Sequence, residues 1–484
     1  MNIIFYDLGL LALFAIFISV FLYRGKKNLK KEGFLLLYKT SWGIKLINYV
    51  GKKYEKTLKV LSYVSIMIGY GLMALAFYFV YSIVKIYLFR PEISNAVKVP
   101  PIMPLIPYLP QLFNLDFMPP FYFVYWILIL AIIAISHEFS HGIFAAYNKI
   151  KIKNTGFGFF PFFLPVFLAA FVELDEKRMA KKSKFAQLTI LSAGTFANIL
   201  TAILFFFILW GFFSLAFQPA GIAFDTYPYE IANFSILGNV TVNNIPLKSA
   251  SYENILINMQ DSSILNEIKI NGKTYLTTKE NFENQKKNID NYGMAILFTD
   301  GPAIRVGLNG PISRINGVEI KNINTLAYEL EKYSPGDIVT LEVIENNTEK
   351  YNLDVVLGKD PEDPQKAYLG IGFYSRDTGK LSSKMYLWVV SFFKEEHVYY
   401  IPKFEVFSTF IYNLLWWILL ISISVAIVNM LPVGIFDGGR FFYLSVLGIT
   451  KSEKFAKQAF AFLTYLFLFI ILGLMLMWGW NFFR

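Results

Sequence analysis

Two of the chain's three histidines lie four residues apart, in the segment His137-Glu138-Phe139-Ser140-His141. On an α-helix, residues i and i+4 share one face, so both imidazoles can reach a single metal ion. Glu138 then lies close enough to polarise a metal-bound water. The alternative is a polar helix end that reaches the membrane interface, which would place three ionisable side chains at a costly position without a use.

A catalytic zinc site commonly has three protein ligands and one open position, so a third ligand is required. The sequence contains no cysteine, and the remaining histidine, His397, lies in a separate polar segment. A carboxylate is therefore expected. Asp437 follows a hydrophobic segment that would cross a membrane in the same direction as the hydrophobic segment that contains His137. The alternative is a simple turn, in which Gly438 and Gly439 end a helix.

Six hydrophobic segments are long enough to position these residues in a membrane, which takes about 20 helical residues to cross. Hydrophobic residues make up 55% of the 484-residue chain and charged residues 17%, which excludes a disordered chain, a fibrous protein and an ordinary soluble enzyme. The predicted spans are 1–23, 60–84, 118–147, 185–217, 406–436 and 458–481. The sequence therefore predicts an α-helical polytopic membrane protein with about six transmembrane helices.

The basic residues, which give the chain a net charge of +10, indicate its orientation. Residues 24–59 contain eleven Lys or Arg and two Glu, and residues 148–184 contain eight basic and three acidic residues. The positive-inside rule places both loops in the cytoplasm, so the N-terminus and residues 218–380 are expected outside. His137 then lies within the membrane, nearer the cytosolic side. No nucleic-acid partner is expected, because the basic residues lack the arrangement of a nucleic-acid-binding module.

Two further segments have unusual compositions. Residues 91–120 contain eight of the twenty prolines, which excludes a regular helix there. Residues 154–172 are apolar but interrupted by two glycines and two prolines, and both flanks are predicted to be cytoplasmic. We therefore expect a re-entrant hairpin or an interfacial strand, which would line the polar cavity that hydrolysis requires.

Together these motifs resemble the site-2 protease family of intramembrane zinc metalloproteases. The similarity rests on the HEFSH segment at 137–141, the hairpin that begins at Gly156, the segment 194–198 (GTFAN) and residues 429–439. It covers the membrane core from the third to the fifth span. Phe436 departs from the leucine that commonly precedes Asp-Gly in the family.

The resemblance implies one bound zinc ion with three ligands: His137, His141 and Asp437. It implies that Glu138 is the general base of an endopeptidase acting on transmembrane helices of single-span substrates. Asn198 and Asn429 would bind the unwound substrate strand or stabilise the oxyanion, and a simple hydrogen bond between helices is the alternative for both.

Two functions from other classes are alternatives. A metal-ion transporter would use intramembrane His and Asp as a transit site, but transporters usually contain internal repeats and ionisable residues in several spans, and neither feature is evident here. A catalytically silent relative would bind membrane proteins without cleaving them. Such a protein would have no use for Glu138.

Residues 218–380 form the largest polar part of the chain, with 15 basic and 21 acidic residues. Residues 301–308 and 312–317 resemble the carboxylate-binding loop and following strands of a PDZ domain, and residues 335–343 predict a turn and an alternating strand. Residues 238–244 resemble a degraded second copy. Two arrangements remain open: a tandem PDZ-like pair, or one PDZ-like domain with a β-rich insertion. A PDZ-like groove would bind a peptide or a substrate ectodomain by strand addition.

The expected organisation has four parts. Residues 1–90 contain two transmembrane helices and a basic cytoplasmic loop, and residues 91–217 contain the first part of the catalytic membrane core. Residues 218–380 are the inserted, β-rich, PDZ-like extracytoplasmic domain. Residues 381–484 contain the Asp-Gly segment and the last transmembrane helix. The expected surroundings are a cytoplasmic membrane, and the expected partners are the lipid bilayer and single-span membrane proteins.

Overall fold

The structure is a computed structural model of the 484-residue chain. It describes residues 3–32, 35–90, 100–115, 117–159, 168–233, 239–249, 251–261, 264–345, 349–377, 379 and 381–482. The chain divides into two compact units. The membrane unit comprises residues 1–209 and 410–484, and the inserted unit comprises residues 210–409.

Six helices of the described residues are long and apolar enough to cross a membrane. They are span 1 (Ile3–Arg24), span 2 (Glu55–Phe89), span 3 (Phe123–Tyr147), span 4 (Lys184–Ala216), span 5 (Glu405–Asn429) and span 6 (Glu453–Phe482). Apolar side chains on all faces are typical of helices surrounded by lipid and by each other. The predicted number of helices long and apolar enough to span a membrane is confirmed.

Shorter helices complete the membrane unit. They are Ile44–Lys53, Leu109–Leu112, Glu176–Ala180 and Asp437–Thr450, with a 3-10 turn at Lys26–Asn28. Within the described part of the proline-rich segment 91–120, the single helix has four residues, Leu109–Leu112. Residues 91–99 and 116 lie outside the described residues.

A four-stranded antiparallel sheet, the membrane-unit sheet, joins the two basic loops. Its strands, in order, are β1 (Leu29–Glu32), β2 (Leu35–Thr40), β3 (Ile152–Phe159) and β4 (Leu168–Leu174). Gly156 pairs with Lys39 on β2 and with Phe171 on β4, and a Cβ at this position would lie 2.0 Å from the carbonyl oxygen of Tyr38. β3 and β4 are the arms of the hairpin expected at 154–172. Residues 160–167 lie outside the described residues, so its re-entrant course stays a prediction.

The structure corrects the predicted end of span 5. The helix ends at Asn429 rather than at residue 436, because Pro432 lacks a backbone N–H and cannot continue a helix. After a turn, Asp437 begins a new helix instead of terminating the span. Gly438 and Gly439 lie in the first turn of that helix and do not end one.

An aspartate of span 1 binds the first turn of span 3. The backbone N–H groups of Phe123 and Val124 donate to the Asp7 carboxylate at 2.6 and 3.0 Å, and the Tyr108 hydroxyl donates to it at 2.6 Å. The first N–H groups of a helix lack partners within the helix, and a negative charge there is stabilised by the helix dipole. Asp7 therefore anchors the start of the helix that contains His137.

The inserted unit is rich in short strands. In chain order they are β5 (Phe217–Ile222), β6 (Tyr229–Asn233), β7 (Val240–Val242), β8 (Ile245–Pro246), β9 (Leu265–Ile270), β10 (Lys273–Thr278), β11 (Met294–Thr299), β12 (Ile312–Ile315), β13 (Val318–Glu319), β14 (Ile338–Glu345), β15 (Glu349–Val356), β16 (Gly358–Lys359), β17 (Ala367–Tyr368) and β18 (Val398–Pro402). Its helices within the unit are Tyr252–Ile257, Lys279–Asn284, Lys286–Tyr292, Pro302–Arg305, Ile323–Leu330 and Leu381–Ser391.

These strands form two separate larger sheets, each with its own buried hydrophobic core. The first has the order β6-β11-β10-β9-β7-β8, and the second has the order β15-β14-β12-β5-β18, with β13 paired to β12. β16 and β17 form an additional two-stranded sheet.

The two larger sheets contain the same chain path twice. In the first repeat (residues 240–278), β7 and β8 are followed by a helix and the hairpin β9–β10; in the second (residues 312–356), β12 and β13 are followed by a helix and the hairpin β14–β15. Asn243 and Asn316 are equivalent, because each exchanges two hydrogen bonds with one residue of the facing strand. The backbone N–H of the asparagine donates to the carbonyl of that residue, and the asparagine side-chain oxygen accepts its N–H. The partner is Glu267 for Asn243 and Thr340 for Asn316. The predicted second copy at 238–244 thus has a structural counterpart, although Gly238 lies outside the described residues.

Candidate active site

The structure brings together the three residues expected to bind a metal. His137 Nε2 lies 3.0 Å from His141 Nε2, and Asp437 Oδ2 lies 3.3 and 3.2 Å from these two nitrogens. The two histidines are each 8% exposed. Ligand atoms of a tetrahedral zinc ion with bonds of about 2.0 Å are roughly 3.3 Å apart, so the triangle has the size of one face of a zinc site. Two imidazoles and a carboxylate also suit zinc chemically.

One face of span 4 supports both histidines. Ile190, Gly194 and Asn198 are spaced four residues apart and therefore share that face. His141 Nδ1 donates to the carbonyl of Ile190 at 2.6 Å, and Asn198 Nδ2 lies 3.1 Å from His137 Nδ1. Each histidine is thus held through Nδ1, while its Nε2 faces the other histidine.

Gly194 lies directly against the candidate ligand atoms. A Cβ at this position would lie 2.4 Å from Nε2 of both His137 and His141. Any side chain would therefore enter the space where the two nitrogens converge. The segment 194–198 was identified by its resemblance to a family motif, and the structure supplies the steric reason for its glycine.

Glu138 contacts the membrane-unit sheet. Its Oε2 accepts the backbone N–H of Val172, on β4, at 2.9 Å. Glu138 also lines a small cavity together with Trp42 and Thr155. The centre of a water molecule can occupy about 20 Å³ of this cavity, which is room for about one water. Hydrogen bonds from Asn154 and Lys39 lower the pKa of Glu173, which follows Val172. The sheet therefore fixes the direction of the Glu138 carboxylate beside a space that admits water.

Close backbone packing positions Asp437. A Cβ on Gly438 would lie 2.3 Å from the carbonyl carbon of Met430, and a Cβ on Gly439 would lie 2.4 Å from the carbonyl oxygen of Val433. The start of the Asp437 helix therefore packs on the turn after span 5 with no room for side chains. This contact sets the position of the carboxylate relative to span 5.

The two asparagines expected to bind substrate have different surroundings. The side-chain amide of Asn198 contacts His137 Nδ1. Asn429 is half-buried at the last position of span 5, and among the described residues its side chain has no hydrogen-bond partner. His397 belongs to the inserted unit, where its Nδ1 lies 3.1 Å from Asp225 Oδ2. It takes no part in the group formed by His137, His141 and Asp437.

Sequence reasoning missed two contributors to the site. Ile190 acts through its backbone carbonyl, so its residue type contains no signal. Val172 likewise contributes its backbone N–H, and the pairing of β4 in a four-stranded sheet is what presents it to Glu138.

A converging pair of imidazoles and a carboxylate, buried among helices that can cross a bilayer and flanked by a second carboxylate, defines a membrane metallopeptidase. The chain belongs to peptidase family M50, whose sequence model matches residues 125–474. The matched region contains every candidate site residue, and family M50 consists of zinc metalloproteases. The resemblance to site-2 proteases is confirmed. A comparison with curated proteins found no match.

Proposed function

We propose that this chain is an intramembrane zinc metalloprotease that hydrolyses peptide bonds within the transmembrane segments of membrane-anchored substrates. The observation that carries the proposal is the triangle formed by His137 Nε2, His141 Nε2 and Asp437 Oδ2, with sides of 3.0 to 3.3 Å. These residues would hold one zinc ion. When bound, zinc supplies Lewis-acid polarisation of a carbonyl and lowers the pKa of water.

Glu138 is the proposed proton carrier. Its carboxylate takes a proton from the attacking water as the new C–O bond forms, and returns it to the amine as the C–N bond breaks. The N–H of Val172 holds Oε2, which leaves the other carboxylate oxygen available to the water. One residue can therefore act first as base and then as acid.

The proposed substrate is a transmembrane helix that unwinds at the site. A membrane helix satisfies its backbone hydrogen bonds internally, so its carbonyls are shielded until the helix opens. Asn429, at the end of span 5, is proposed to bind the unwound strand, because its side chain has no partner among the described residues.

The proposed orientation follows from the basic loops. Residues 24–59 and 148–184 are placed in the cytoplasm, and the N-terminus and the inserted unit are placed outside a cytoplasmic membrane. The active site then lies within the bilayer, nearer the cytosolic side.

The inserted unit is proposed to bind the extracytoplasmic segment of a substrate. Helix Ile323–Leu330 and residues 367–373 border a cavity of about 430 Å³. Gly372 exchanges backbone hydrogen bonds with Thr226 in an isolated bridge, and no backbone hydrogen bond among the described residues involves its neighbour Ile371. The backbone groups of Ile371 are therefore available on the opposite edge, where an extended peptide could add as a strand.

The repeat supports a tandem PDZ-like arrangement for this unit, with the open cavity in the second copy. Residues 301–308, which resemble a carboxylate-binding loop, contain the short helix Pro302–Arg305 and do not line this cavity. In the first copy, helix Tyr252–Ile257 is equivalent to helix Ile323–Leu330, and helix Lys279–Asn284 packs on it. The ring of Phe282 stacks on the ring of Tyr252, with centroids 5.3 Å apart. The second copy is therefore the proposed peptide site.

The test compares the full-length protein with two variants in liposomes that contain a single-span substrate. Glu138→Gln should retain about one zinc per chain and lose cleavage by at least about 100-fold, because the proton carrier is removed. His141→Ala should lose both zinc and cleavage. Undiminished cleavage by the Glu138 variant would remove the proposed base, and zinc-independent cleavage would remove the proposed function.

A further inference from the structure

We infer that Asn198 positions the ligand His137 instead of binding the substrate. The inference rests on the proposed metal site and concerns how one of its ligands is held. It departs from the role that the family resemblance implies for this residue.

The Asn198 side chain is committed to His137. Its amide lies 3.1 Å from His137 Nδ1, and the residue is fully buried. The other amide atom, Oδ1, has no hydrogen-bond partner among the described residues. His137 is thus the one polar partner of this amide in the described part of the chain. Because the residue is fully buried, neither atom of this amide is exposed to a substrate strand.

The hydrogen bond at Nδ1 determines which nitrogen of His137 can bind a metal. A neutral imidazole has one N–H and one lone pair, so ligation through Nε2 requires the proton to be on Nδ1. That N–H then needs an acceptor. The amide oxygen of Asn198 supplies it when the amide is rotated by 180°, because the two orientations have the same shape and exchange only N and O.

His141 shows the same arrangement with a group that can only accept. Its Nδ1 lies 2.6 Å from the carbonyl oxygen of Ile190, so the proton is on Nδ1 and the lone pair of Nε2 is free. Ile190 and Asn198 lie on either side of Gly194 along one face of span 4. The two histidines therefore have matching supports, one from the backbone and one from a side chain. Such outer partners orient metal-bound histidines in many metalloproteins.

The experiment measures zinc affinity in the full-length protein by competition with a chelator. Asn198→Leu removes the acceptor at similar size and should weaken zinc binding by about 10–100-fold. Asn198→Asp keeps an acceptor oxygen and should restore most of the affinity. Thr201→Val is the matched control: Thr201 lies one turn further along span 4 and contacts Ser136 Oγ at 3.4 Å without touching a ligand. Its zinc affinity should equal that of the wild type.

Cobalt(II) provides a second measurement, because its absorption spectrum reports the geometry of the ligands. Asn198→Leu should change the spectrum, and Asn198→Asp should retain it. The inference is overturned if Asn198→Leu binds zinc and cobalt as the wild type does while cleavage falls, since the residue would then act on the substrate.

The melting temperature of the metal-free protein separates a misfolded variant from a weakened site. If Asn198→Leu does not fold, Asn198→Ser replaces it, because a serine hydroxyl is too short to reach Nδ1. Failure of the wild-type protein to bind zinc would refute the proposed function instead, which keeps the two failures distinguishable.

Discussion

The membrane unit and the inserted unit differ in how they hold polar groups. The membrane unit buries a few ionisable side chains in tightly packed contacts, such as Asp7 at the start of span 3 and His137 against Asn198. The inserted unit repeats one chain path and spreads its polar contacts over turns and strand edges, as at Asn243 and Asn316. A single methyl group added beside the contacts of the active site should therefore have a large effect, and even a bulky change at the open cavity of the inserted unit should have a small one.

The largest effect is expected at Gly194. Gly194→Ala would place a methyl group 2.4 Å from both candidate ligand nitrogens, so zinc binding should be lost and cleavage should fall by at least about 100-fold. Gly211→Ala is the matched control, because Gly211 lies in the same span and a Cβ there has no neighbour within 4 Å. Zinc titration and cleavage assays check both variants. Normal zinc binding by Gly194→Ala would contradict the described site.

A smaller effect is expected at the start of the Asp437 helix. The Cβ of Gly438→Ala would lie 2.3 Å from the backbone of Met430, so the helix must shift and displace the Asp437 carboxylate. Cleavage should fall by about 10–100-fold, because displacements near 1 Å have effects of this size. Gly448→Ala, in the same helix with open space around its Cβ, should behave as the wild type. Equal activity of the two variants would show that the turn after span 5 does not set the carboxylate position.

Asp7→Asn tests the anchor of span 3. The substitution keeps the shape but removes the negative charge from the helix start, which should lower stability by about 1–2 kcal/mol. Thermal unfolding of the full-length protein measures the change. Glu453→Gln is the control, because Glu453 also lies in the first turn of a span but is exposed and paired with Lys457 on the surface. If both variants unfold at the same temperature, Asp7 is not an anchor.

The smallest effect is expected in the inserted unit. Ala327→Trp would fill the cavity beside helix Ile323–Leu330 and should reduce cleavage of a substrate with a long extracytoplasmic segment by less than about tenfold, which corresponds to under about 1.4 kcal/mol of binding. A substrate that lacks this segment should be cleaved at the wild-type rate. Asn324→Trp, on the same helix outside the cavity, should affect neither substrate. Equal losses for both substrates would argue against a peptide site.

Local patterns were sufficient to predict the spans and the HEFSH segment at 137–141. Long apolar runs and an i, i+4 pair of histidines depend on near neighbours in sequence, and the structure reproduces both. Asp437 was predicted as the partner of the two histidines for two reasons. The sequence contains no cysteine, and the two hydrophobic segments that precede the ligands run in the same direction. The predicted orientation, the four-part domain division and the roles of the site residues stay predictions.

Other features depend on contacts between distant parts of the chain. β1 and β2 lie in a segment whose many lysines predict a loop, and they form strands because β3 pairs with β2. The helix of span 5 ends at Asn429 because of Pro432. The hydrophobic segment continues to residue 436, so hydrophobicity alone predicted a longer helix. The partners of Asp7 are likewise distant in sequence, because they are the Tyr108 hydroxyl and two backbone N–H groups about a hundred or more residues away.

The four-residue spacing along span 4 also makes the site sensitive to the axial register of two helices. Among the described residues, spans 3 and 4 contribute every hydrogen bond of the two histidine side chains except those with Asp437. A slide of span 4 by one residue, about 1.5 Å, would move Gly194 away from the paired nitrogens and separate both Nδ1 atoms from their supports at once. Because Ile190, Gly194 and Asn198 move together, the metal centre would be assembled or lost as a whole, without intermediate states in which one histidine alone is correctly held.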